Sequence, residues 1–145
     1  MSTGSPYSAH LDHFARDHLP RPDEMPDFIF TLPELRYPER LNCVSELVDT
    51  WVGKGHGAQP CFRSPDKTYS YAEFAALVNR VANVLVSDFG LVPGGRVLLR
   101  SPNNPLMAAA LFAVMKAGGV AVTSMPLLRA KELAFMSGKA KVGLA

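Results

Sequence analysis

The sequence predicts an α/β fold: a parallel sheet with flanking helices, built from βαβ units and preceded by a proline-rich extended arm. After residue 95, short apolar segments alternate with helix-length segments, which is the order of a βαβ unit. The run from Pro105 to Leu128 carries a single charge, Lys116. Strands of a parallel sheet are this apolar because helices cover both faces. Six of the twelve prolines lie at or before Pro38, which predicts the arm, since proline removes backbone donors and disfavours helix in the residue before it.

Composition places the chain among globular proteins. Its 145 residues correspond to about one domain, and a hydrophobic fraction of 48% argues against bulk disorder. The net charge of +2 gives no reason to expect a nucleic acid or an anionic membrane as partner. Residues 1–42 hold seven acidic and four basic side chains, whereas residues 43–145 hold six and eleven. The positive part could meet phosphate or carboxylate ligands, but solvated lysines at strand and helix ends are the simpler interpretation.

The cysteines and the N-terminus indicate a cytoplasmic protein. Cys43 and Cys61 match no metal-ligand spacing, and free thiols suit a reducing compartment. Nothing in their placement argues for the disulfide that any two cysteines allow. The N-terminal stretch MSTGSPYSAHLDHF lacks a basic segment followed by an apolar one, so we expect no secretory signal.

The first 42 residues are predicted to form an arm distinct from residues 43–145. A helix over about 8–18 fits before Pro20, and the segment after it should be extended. The apolar side chains of that segment predict contact with another surface, because a free arm would expose them to water. They are Phe28, Phe30, Leu32, Leu35 and Tyr37.

A helix is predicted over about 43–54, and the glycine-rich stretch GKGHG at 53–57 should end it. Four apolar residues have the i, i+3, i+4, i+7 spacing of one helical face: Val44, Leu47, Val48 and Trp51. Two short strands, about 60–63 and 67–69, are expected on either side of a turn at 64–66.

The next helix carries both a start signal and a stop signal. Ser70 and Glu73 have the spacing of a capping box, in which each side chain satisfies a free amide of the first turn. Gly90 is expected at the C′ position. The apolar stripe between them consists of Phe74, Leu77, Val78, Val81 and Leu85.

The C-terminal third predicts three parallel strands joined by right-handed crossovers. The strands are expected at 96–100, 120–124 and 141–145, with helices at about 106–117 and 130–137. A membrane helix needs about 20 continuous helical residues. Gly118 and Gly119 interrupt the apolar run before that length is reached, which argues against a membrane span.

Three patterns resemble ligand sites but have simpler interpretations. Gly90 and Gly95 have the spacing of the outer glycines of a phosphate-binding loop, yet Lys and Ser/Thr do not follow, and a helix rather than a strand precedes them. The GKGHG stretch could form a phosphate nest, although a surface loop is favoured. His10 and His13, with His18 nearby, could share a helical face and bind zinc; a solvated helix face is favoured there too.

Polar side chains follow two neighbouring strands, at the sheet edge where open α/β proteins bind ligands. They are Ser101, Asn103 and Asn104 after the first strand, and Thr123 and Ser124 at the end of the second. Pro105 suits the first position of a helix, so capping by one of the two asparagines explains that residue without a ligand. We favour capping over ligand contact for any single one of these residues. The residues by themselves indicate part of an α/β protein and reveal no constellation that could activate a nucleophile, hold a metal or cradle a triphosphate.

From Thr68 onward, the chain resembles the adenylate-forming (AMP-binding) acyl-CoA synthetase superfamily. Five segments match the family pattern in order: TYSYAEF, NRVANVL, GLVPGGRVLLRSPNNP, ALFAVMKAGGVAVTSMPLL and RAKELAFMSGKAKVGLA. Each segment is weak alone, and their unbroken order over 78 residues carries the resemblance. The arm segments HLDHFARDHLP and LPELRYPERLNCVSELVD are similar to the start of aromatic-acid CoA ligases, most closely 2-aminobenzoate (anthranilate)–CoA ligases. The chain departs from the pattern at Gly95, where the family usually has Asp, and at Gly138, which interrupts the last helix.

The resemblance implies an ATP-dependent ligase that forms an acyl-adenylate from an aromatic acid, 2-aminobenzoate or benzoate, and then an acyl-CoA thioester. ATP, Mg and CoA would serve the longer family enzyme. The family's catalytic parts follow this region: a Ser/Thr/Gly-rich loop ending in Pro-Lys, a Tyr-x-Thr-Gly-Asp segment, and a lysine in a C-terminal domain. None of them occurs in residues 1–145. We therefore predict an inactive N-terminal portion of the large N-terminal domain, with no catalytic, cofactor-binding or metal-binding residue. The rival hypothesis is a truncated, non-catalytic α/β binding or interaction module.

Overall fold

Two parallel strands and their crossover helix form the centre of the molecule. The computed structural model describes residues 8–38 and 40–145. The helices and strands are α1 (Phe14–Asp17), β1 (Pro60–Arg63), β2 (Thr68–Ser70), α2 (Tyr71–Ser87), β3 (Arg96–Arg100), α3 (Pro105–Lys116), β4 (Val120–Ser124) and α4 (Ala130–Ala140). Among the described residues, no helix is long and apolar enough to cross a bilayer.

The β3–α3–β4 unit forms as predicted. β3 and β4 pair in parallel, from Arg96 opposite Val120 to Arg100 opposite Ser124. Asn104 caps α3 by accepting a hydrogen bond from the Met107 amide at 2.8 Å, and Pro105 occupies the first helical position.

The predicted third strand at 141–145 is reduced to one parallel bridge between Val97 and Leu144. It lies on the side of β3 away from β4, because β3 pairs with both. Lys141 has a left-handed backbone (φ 49°), so α4 turns sharply there, and the backbone hydrogen bonds described between this segment and β3 come from Gly143 and Leu144. The overall class is therefore the predicted α/β fold with a parallel sheet.

β1 and β2 form a separate antiparallel hairpin with a bulge between Pro60 and Phe62. The hairpin leads directly into α2, whose capping box is present: Ser70 Oγ accepts from the Glu73 amide at 3.2 Å, and Glu73 accepts from the Ser70 amide at 2.9 Å. Gly90 has a positive φ of 66°, two residues beyond the Asp88 cap. Gly90 therefore lies at C″ and not at the predicted C′, because α2 ends one residue earlier than predicted.

The main core lies where α2 packs on α3. Phe74 and Val78 of α2 are fully buried, and alanines on α3 allow the two helices to approach closely. The Phe74 ring contacts Phe62 of the hairpin at 4.6 Å and Phe112 of α3 at 5.4 Å, measured between ring centroids. Burying side chains of this kind contributes about 1.5–3 kcal/mol each, so this cluster is the main stabilising contact of hairpin, α2 and α3.

The helix predicted over 43–54 has a wider turn than expected. Its π-helical turns run over Ser45–Asp49 and Val52–His56. Val44 and Val48 are buried, but Leu47 is 60% exposed and Trp51 is 37% exposed, so the predicted face was wrong at those two positions. A π turn holds more residues than an α turn. The face that packs on the core therefore consists of residues four apart, Val44, Val48 and Val52, and the i+3 positions turn away from it.

Two side-chain contacts fasten this π-helical segment to the end of α3. Lys116 donates to Asp49 Oδ1 at 2.7 Å. Asn42 Nδ2 donates to the Lys116 carbonyl oxygen at 3.1 Å. The Asn42 amide satisfies a free carbonyl at the C-terminal end of α3, and Lys116 places a cation where the helix dipole favours one.

The arm differs from prediction in two ways. The expected helix over 8–18 is a single turn, α1, because the amides of Leu11 and Asp12 donate to the Pro93 carbonyl instead of entering a helix. The apolar residues that were expected to lie on another surface are exposed, apart from the half-buried Leu35. The centre of the Phe30 ring lies 6.2 Å from that of Phe28 and 6.3 Å from that of Tyr37, so these rings pack on one another.

Candidate functional site

A groove of about 1230 Å³ lies at the carboxyl ends of β3 and β4. One wall is the turn of the β1–β2 hairpin, and the other is formed by the loops that follow β3 and β4 and by the start of α3. Parallel strands end at the same edge of a sheet, which brings distant parts of the sequence together here. All five polar residues predicted at this edge line the groove: Ser101, Asn103, Asn104, Thr123 and Ser124.

Three of these five side chains are committed to local structure. Asn104 caps α3, and its Nδ2 lies 3.4 Å from Ser101 Oγ. Ser124 Oγ donates to the Leu99 carbonyl at 3.2 Å, which ties the end of β4 to β3. Asn103 and Thr123 are exposed, and no side-chain hydrogen bond occupies them within the described ranges. They are the two residues of the set that are available to a ligand.

Arg100 holds the loop after β4 against the sheet. Its Nη2 donates to the carbonyls of Pro126 at 2.6 Å and Leu128 at 2.9 Å. The position of that loop sets the depth of the groove beside Thr123. Sequence reasoning placed Arg100 at a strand end and did not detect this role, because its partners lie 26 and 28 residues further along the chain.

The hairpin wall contributes two cations that sequence reasoning did not assign to a site, Arg63 and Lys67. Lys67 forms an ion pair with Glu73 at 3.1 Å and lies 4.5 Å from the centre of the Tyr69 ring. The Ser70 amide, and after it Lys67, lower the pKa of the Glu73 carboxyl below its ordinary value. Arg63 is exposed and has no described side-chain partner in residues 8–38 and 40–145.

The groove has mainly apolar walls and carries charges of both signs at the hairpin turn. Its walls include Phe62, Leu106, Leu111 and Met125, and the hairpin turn contributes Arg63 and Lys67 together with the carboxylate of Asp66. Binding sites of this kind are mainly apolar with a few polar groups that orient the ligand. Within residues 8–38 and 40–145, no cysteine or histidine lines the groove.

The other candidate sites are not built as ligand sites. Gly90 and Gly95 lie in the turn from α2 to β3, as expected from the missing Lys and Ser/Thr. The GKGHG stretch continues the π-helical segment to His56, whose ring stacks on Trp51 at 4.1 Å. His18 Nδ1 lies 2.8 Å from the Phe14 carbonyl oxygen. Across the described ranges, no group of three or more His, Cys, Asp or Glu residues could hold a metal ion.

The two cysteines are free thiols in different environments. Cys43 is exposed, whereas Cys61, in β1 of the hairpin, is half-buried against the main core. Burial raises the pKa of the Cys61 thiol, because the thiolate would lose contact with water.

Comparison with known proteins places this architecture in a family. The AMP-binding enzyme family model matches residues 49–145, about two thirds of the chain. The salicyl-AMP ligase / salicyl-S-ArCP synthetase of Mycobacterium tuberculosis is 37% identical over 110 residues, covering 75% of this chain and 17% of that protein. The benzoate–CoA ligase of Thauera aromatica is 27% identical over 106 residues, covering 73% and 20%.

Solved structures agree with the sequence comparisons. Apo MatB from Rhodopseudomonas palustris matches with a TM-score of 0.65 at 27% identity, over 70% of this chain and 20% of that one. The α/β fold is thus that of the N-terminal domain of adenylate-forming ligases. This chain spans about a fifth or less of the length of these three proteins. On the match over residues 49–145, the chain belongs to the AMP-binding enzyme family.

Proposed function

We propose that the whole protein is an ATP-dependent ligase that joins an aromatic carboxylate to CoA by way of an acyl-adenylate. The observation that carries this proposal is the 37% identity to a salicyl-AMP ligase. The benzoate–CoA ligase supports it, because its name gives a second benzoic-acid substrate. Among such acids, we favour 2-aminobenzoate or benzoate, on the resemblance of the arm to aromatic-acid CoA ligases.

In this proposal, residues 1–145 contribute scaffold to a longer protein that acts in the cytoplasm. Residues 1–42 are the arm, and residues 43–145 are an incomplete part of the N-terminal AMP-binding subdomain. We place no catalytic, cofactor-binding or metal-binding residue in them. The proposed catalytic parts are the family's Pro-Lys loop, its Tyr-x-Thr-Gly-Asp segment and its C-terminal lysine, and the whole protein would take ATP, Mg and CoA as well as the acid.

The chemistry explains why the scaffold alone should be inactive. A carboxylate oxygen attacks the α-phosphate of ATP and pyrophosphate leaves; a thiol then attacks the acyl carbon and AMP leaves. The first step concentrates negative charge on phosphate, which requires cations and hydroxyl donors close to that phosphate. Among the residues that the structure describes, Arg63 and Lys67 are the cations that line the groove, and Lys67 is already paired with Glu73. We therefore assign the reacting centre to the rest of the protein and no Mg ligand to this chain.

The thiol acceptor is the finer part of the proposal. The Mycobacterium tuberculosis relative is named for ArCP as acceptor, whereas the Thauera aromatica relative is named for CoA. We favour CoA because the arm resembles CoA ligases. Offering CoA and an acceptor protein separately to the same acyl-adenylate would distinguish the two acceptors by which thioester forms.

A second candidate function is a non-catalytic module that binds an anionic, partly apolar ligand. The large groove favours it, because its apolar walls, its unpaired Arg63 and its free Asn103 and Thr123 are present without further chain. This module would fold alone and melt cooperatively. The ligase scaffold, by contrast, is expected to be poorly soluble, because an open parallel sheet leaves strand edges unpaired.

ATP–pyrophosphate exchange is the test of the proposed function. It is measured with 2-aminobenzoate, benzoate and salicylate, on residues 1–145 and on the protein encoded by the full reading frame. We expect exchange from the longer protein only. Exchange by residues 1–145 would show that this part of the protein contains catalytic residues, which would contradict the proposal. A longer protein active with aliphatic but not aromatic acids would contradict the substrate class. Saturable binding of benzoate by residues 1–145 without exchange would favour the binding module.

A further inference from the structure

Arg96 is the buried charged residue of the described chain, with 8% of its surface exposed. It begins β3, at the end of the sheet opposite the groove. Its guanidinium donates Nε to the Ala140 carbonyl at 3.0 Å, Nη1 to the Gly94 carbonyl at 3.0 Å and Nη2 to the Lys141 carbonyl at 2.9 Å. A buried charge normally requires a counterion in addition to such carbonyl acceptors.

The counterion comes from the arm. Asp12 Oδ2 lies 2.5 Å from Arg96 Nη1, and the guanidinium lies 4.9 Å from the centre of the Phe14 ring. The Asp12 carboxylate also accepts from the Phe14 amide at 3.0 Å, which holds it in position. Residues 8–17, which we name the N-terminal strap, therefore contact the start of β3 through charge, ring and backbone.

The backbone of the strap is seated as closely as its side chains. The amides of Leu11 and Asp12 both donate to the Pro93 carbonyl, at 2.9 and 3.0 Å. Gly94 has a φ of 87°, and a Cβ atom there would overlap the Asp12 carbonyl oxygen. The absence of a side chain at Gly94 is thus a geometric requirement for the strap to dock.

The third strand depends on the same guanidinium. Ala140 and Lys141, which accept from Arg96, end α4 and lead directly into the bridge at Leu144. That bridge has few hydrogen bonds of its own: the amides of Gly143 and Leu144 share the Arg96 carbonyl at 3.1 and 3.3 Å, and the Leu98 amide donates to the Leu144 carbonyl at 2.8 Å. Leu144 also packs against the buried cluster of Leu91, Val97 and Val114, and beyond that packing so short a pairing depends on what anchors its ends.

We propose that the N-terminal strap holds the third strand in the sheet through Arg96, so that strap and strand dock and undock as one unit. When the strap leaves, the guanidinium keeps its charge but loses its counterion. A buried unpaired charge is more costly than a hydrated one, so Arg96 turns toward water and releases the Ala140 and Lys141 carbonyls. The end of α4 and the Leu144 bridge then open. Arg96 acts as a positioning residue between two segments that lie more than 125 residues apart in sequence (Asp12 and Ala140). This inference concerns the end of the sheet away from the groove and does not depend on the proposed function.

Site-resolved hydrogen exchange on the full 145-residue chain tests the coupling. The reporters are the amides of Gly143, Leu144 and Leu98, which carry the third-strand pairing, and the reference is the Val120 amide, which donates to Gly95 on the opposite side of β3. Asp12→Asn removes the counterion and Gly94→Ala displaces the strap backbone. For both variants we expect roughly tenfold or faster exchange at the three reporters, with a much smaller change at Val120.

Two matched variants serve as controls. Asp23→Asn removes an exposed ion pair with Arg21 in the same arm, and Gly138→Ala adds a methyl group where no atom lies within 4 Å. Neither control should accelerate the reporters. Equal acceleration of the reporters and Val120 in the test variants would mean global destabilisation and overturn the coupling. Unchanged reporters in both test variants would show that the third strand docks without the strap.

Discussion

At the scale of single residues, the role of a charged side chain depends on whether the fold buries it, which its residue type alone does not tell. In the sequence, Arg96 is the polar end of an apolar strand, and nothing nearby suggests that it is buried. In the structure it has partners from the arm, from the turn before β3 and from the end of α4. Those partners lie up to 84 positions before it and 45 after it, so local pattern could not reveal them.

The Asp12–Arg96 pair predicts a pH-dependent stability. Hydrogen bonding to Arg96, and then to the Phe14 amide, lowers the pKa of the Asp12 carboxyl below its ordinary 3.8. A carboxyl whose pKa is lower in the folded state adds stability that is complete above the unfolded pKa and is lost as pH falls through the folded one.

Asp12→Asn should therefore lower the free energy of unfolding at neutral pH, with the deficit shrinking as pH falls below 3.8. Urea unfolding of both proteins over a pH series measures it. A deficit that stayed constant down to pH about 2.5 would contradict the ionic contribution.

The two thiols should react at different rates. Burial raises the pKa of Cys61 and limits access to it, whereas Cys43 is exposed. Because the thiolate is the reactive form, a maleimide at mildly alkaline pH should label Cys43 first. Peptide mapping of partly labelled protein measures the order, and labelling in denaturant, where both thiols are exposed, should remove the difference.

At the scale of elements, local sequence signals predicted the helix caps and the strands whose residues lie close together in the chain. The Ser70–Glu73 box, the Asn104 cap with Pro105, and the strands at 96–100 and 120–124 all form as expected. The wide π turns were not predicted, because apolar spacing does not distinguish 3.6 residues per turn from a wider turn over so short a segment. The helix over 8–18 was also wrong, since tertiary hydrogen bonds to Pro93 take its amides.

The capping box gives α2 a measurable share of its stability. Ser70→Ala leaves the Glu73 amide without its acceptor and should lower the free energy of unfolding by about 1 kcal/mol. Ser87→Ala, at the exposed far end of α2, is the matched control and should change it by less than about 0.5 kcal/mol. Chemical denaturation measures both, and an equal loss in the two variants would count against the cap.

Two glycines should respond to alanine in opposite ways. Gly138 lies inside α4 with no atom near its missing side chain, so Gly138→Ala should stabilise the protein by up to about 1 kcal/mol. Gly118 has a φ of 78°, and a Cβ there would lie 3.2 Å from Pro93 Cβ, so Gly118→Ala should destabilise it. Thermal melts of both variants give the two signs, and the same sign for both would refute the backbone argument.

At the scale of the whole molecule, the arm and the sheet leave apolar surface uncovered. Ile29 is 75% exposed and Phe28 is 65% exposed; the Phe28 ring stacks on Phe30, which meets Tyr37 edge to face. Exposed patches of this kind favour association. Residues 1–145 should therefore associate in a concentration-dependent way on a sizing column.

Replacing Phe28 and Ile29 with serine should reduce that association without lowering the melting temperature, because neither belongs to the buried core. Replacing the exposed Val86 and Phe89, at the end of α2, is the control for a general loss of surface hydrophobicity. An equal reduction by both pairs would show that the arm has no special part in the association.

The sequence by itself determined the order of elements, the α/β class with a parallel sheet, the caps of α2 and α3, and the family resemblance. The elements and caps follow from hydrogen bonds and apolar periodicity within a few residues of one another, whereas the resemblance rests on the order of five matching segments. Only the tertiary structure decided that the hairpin cations face the carboxyl ends of β3 and β4 across a groove, and that Asp12, Arg96 and Lys141 meet. Long-range placement depends on how buried faces and charges pair in space, and that information is spread over the whole chain.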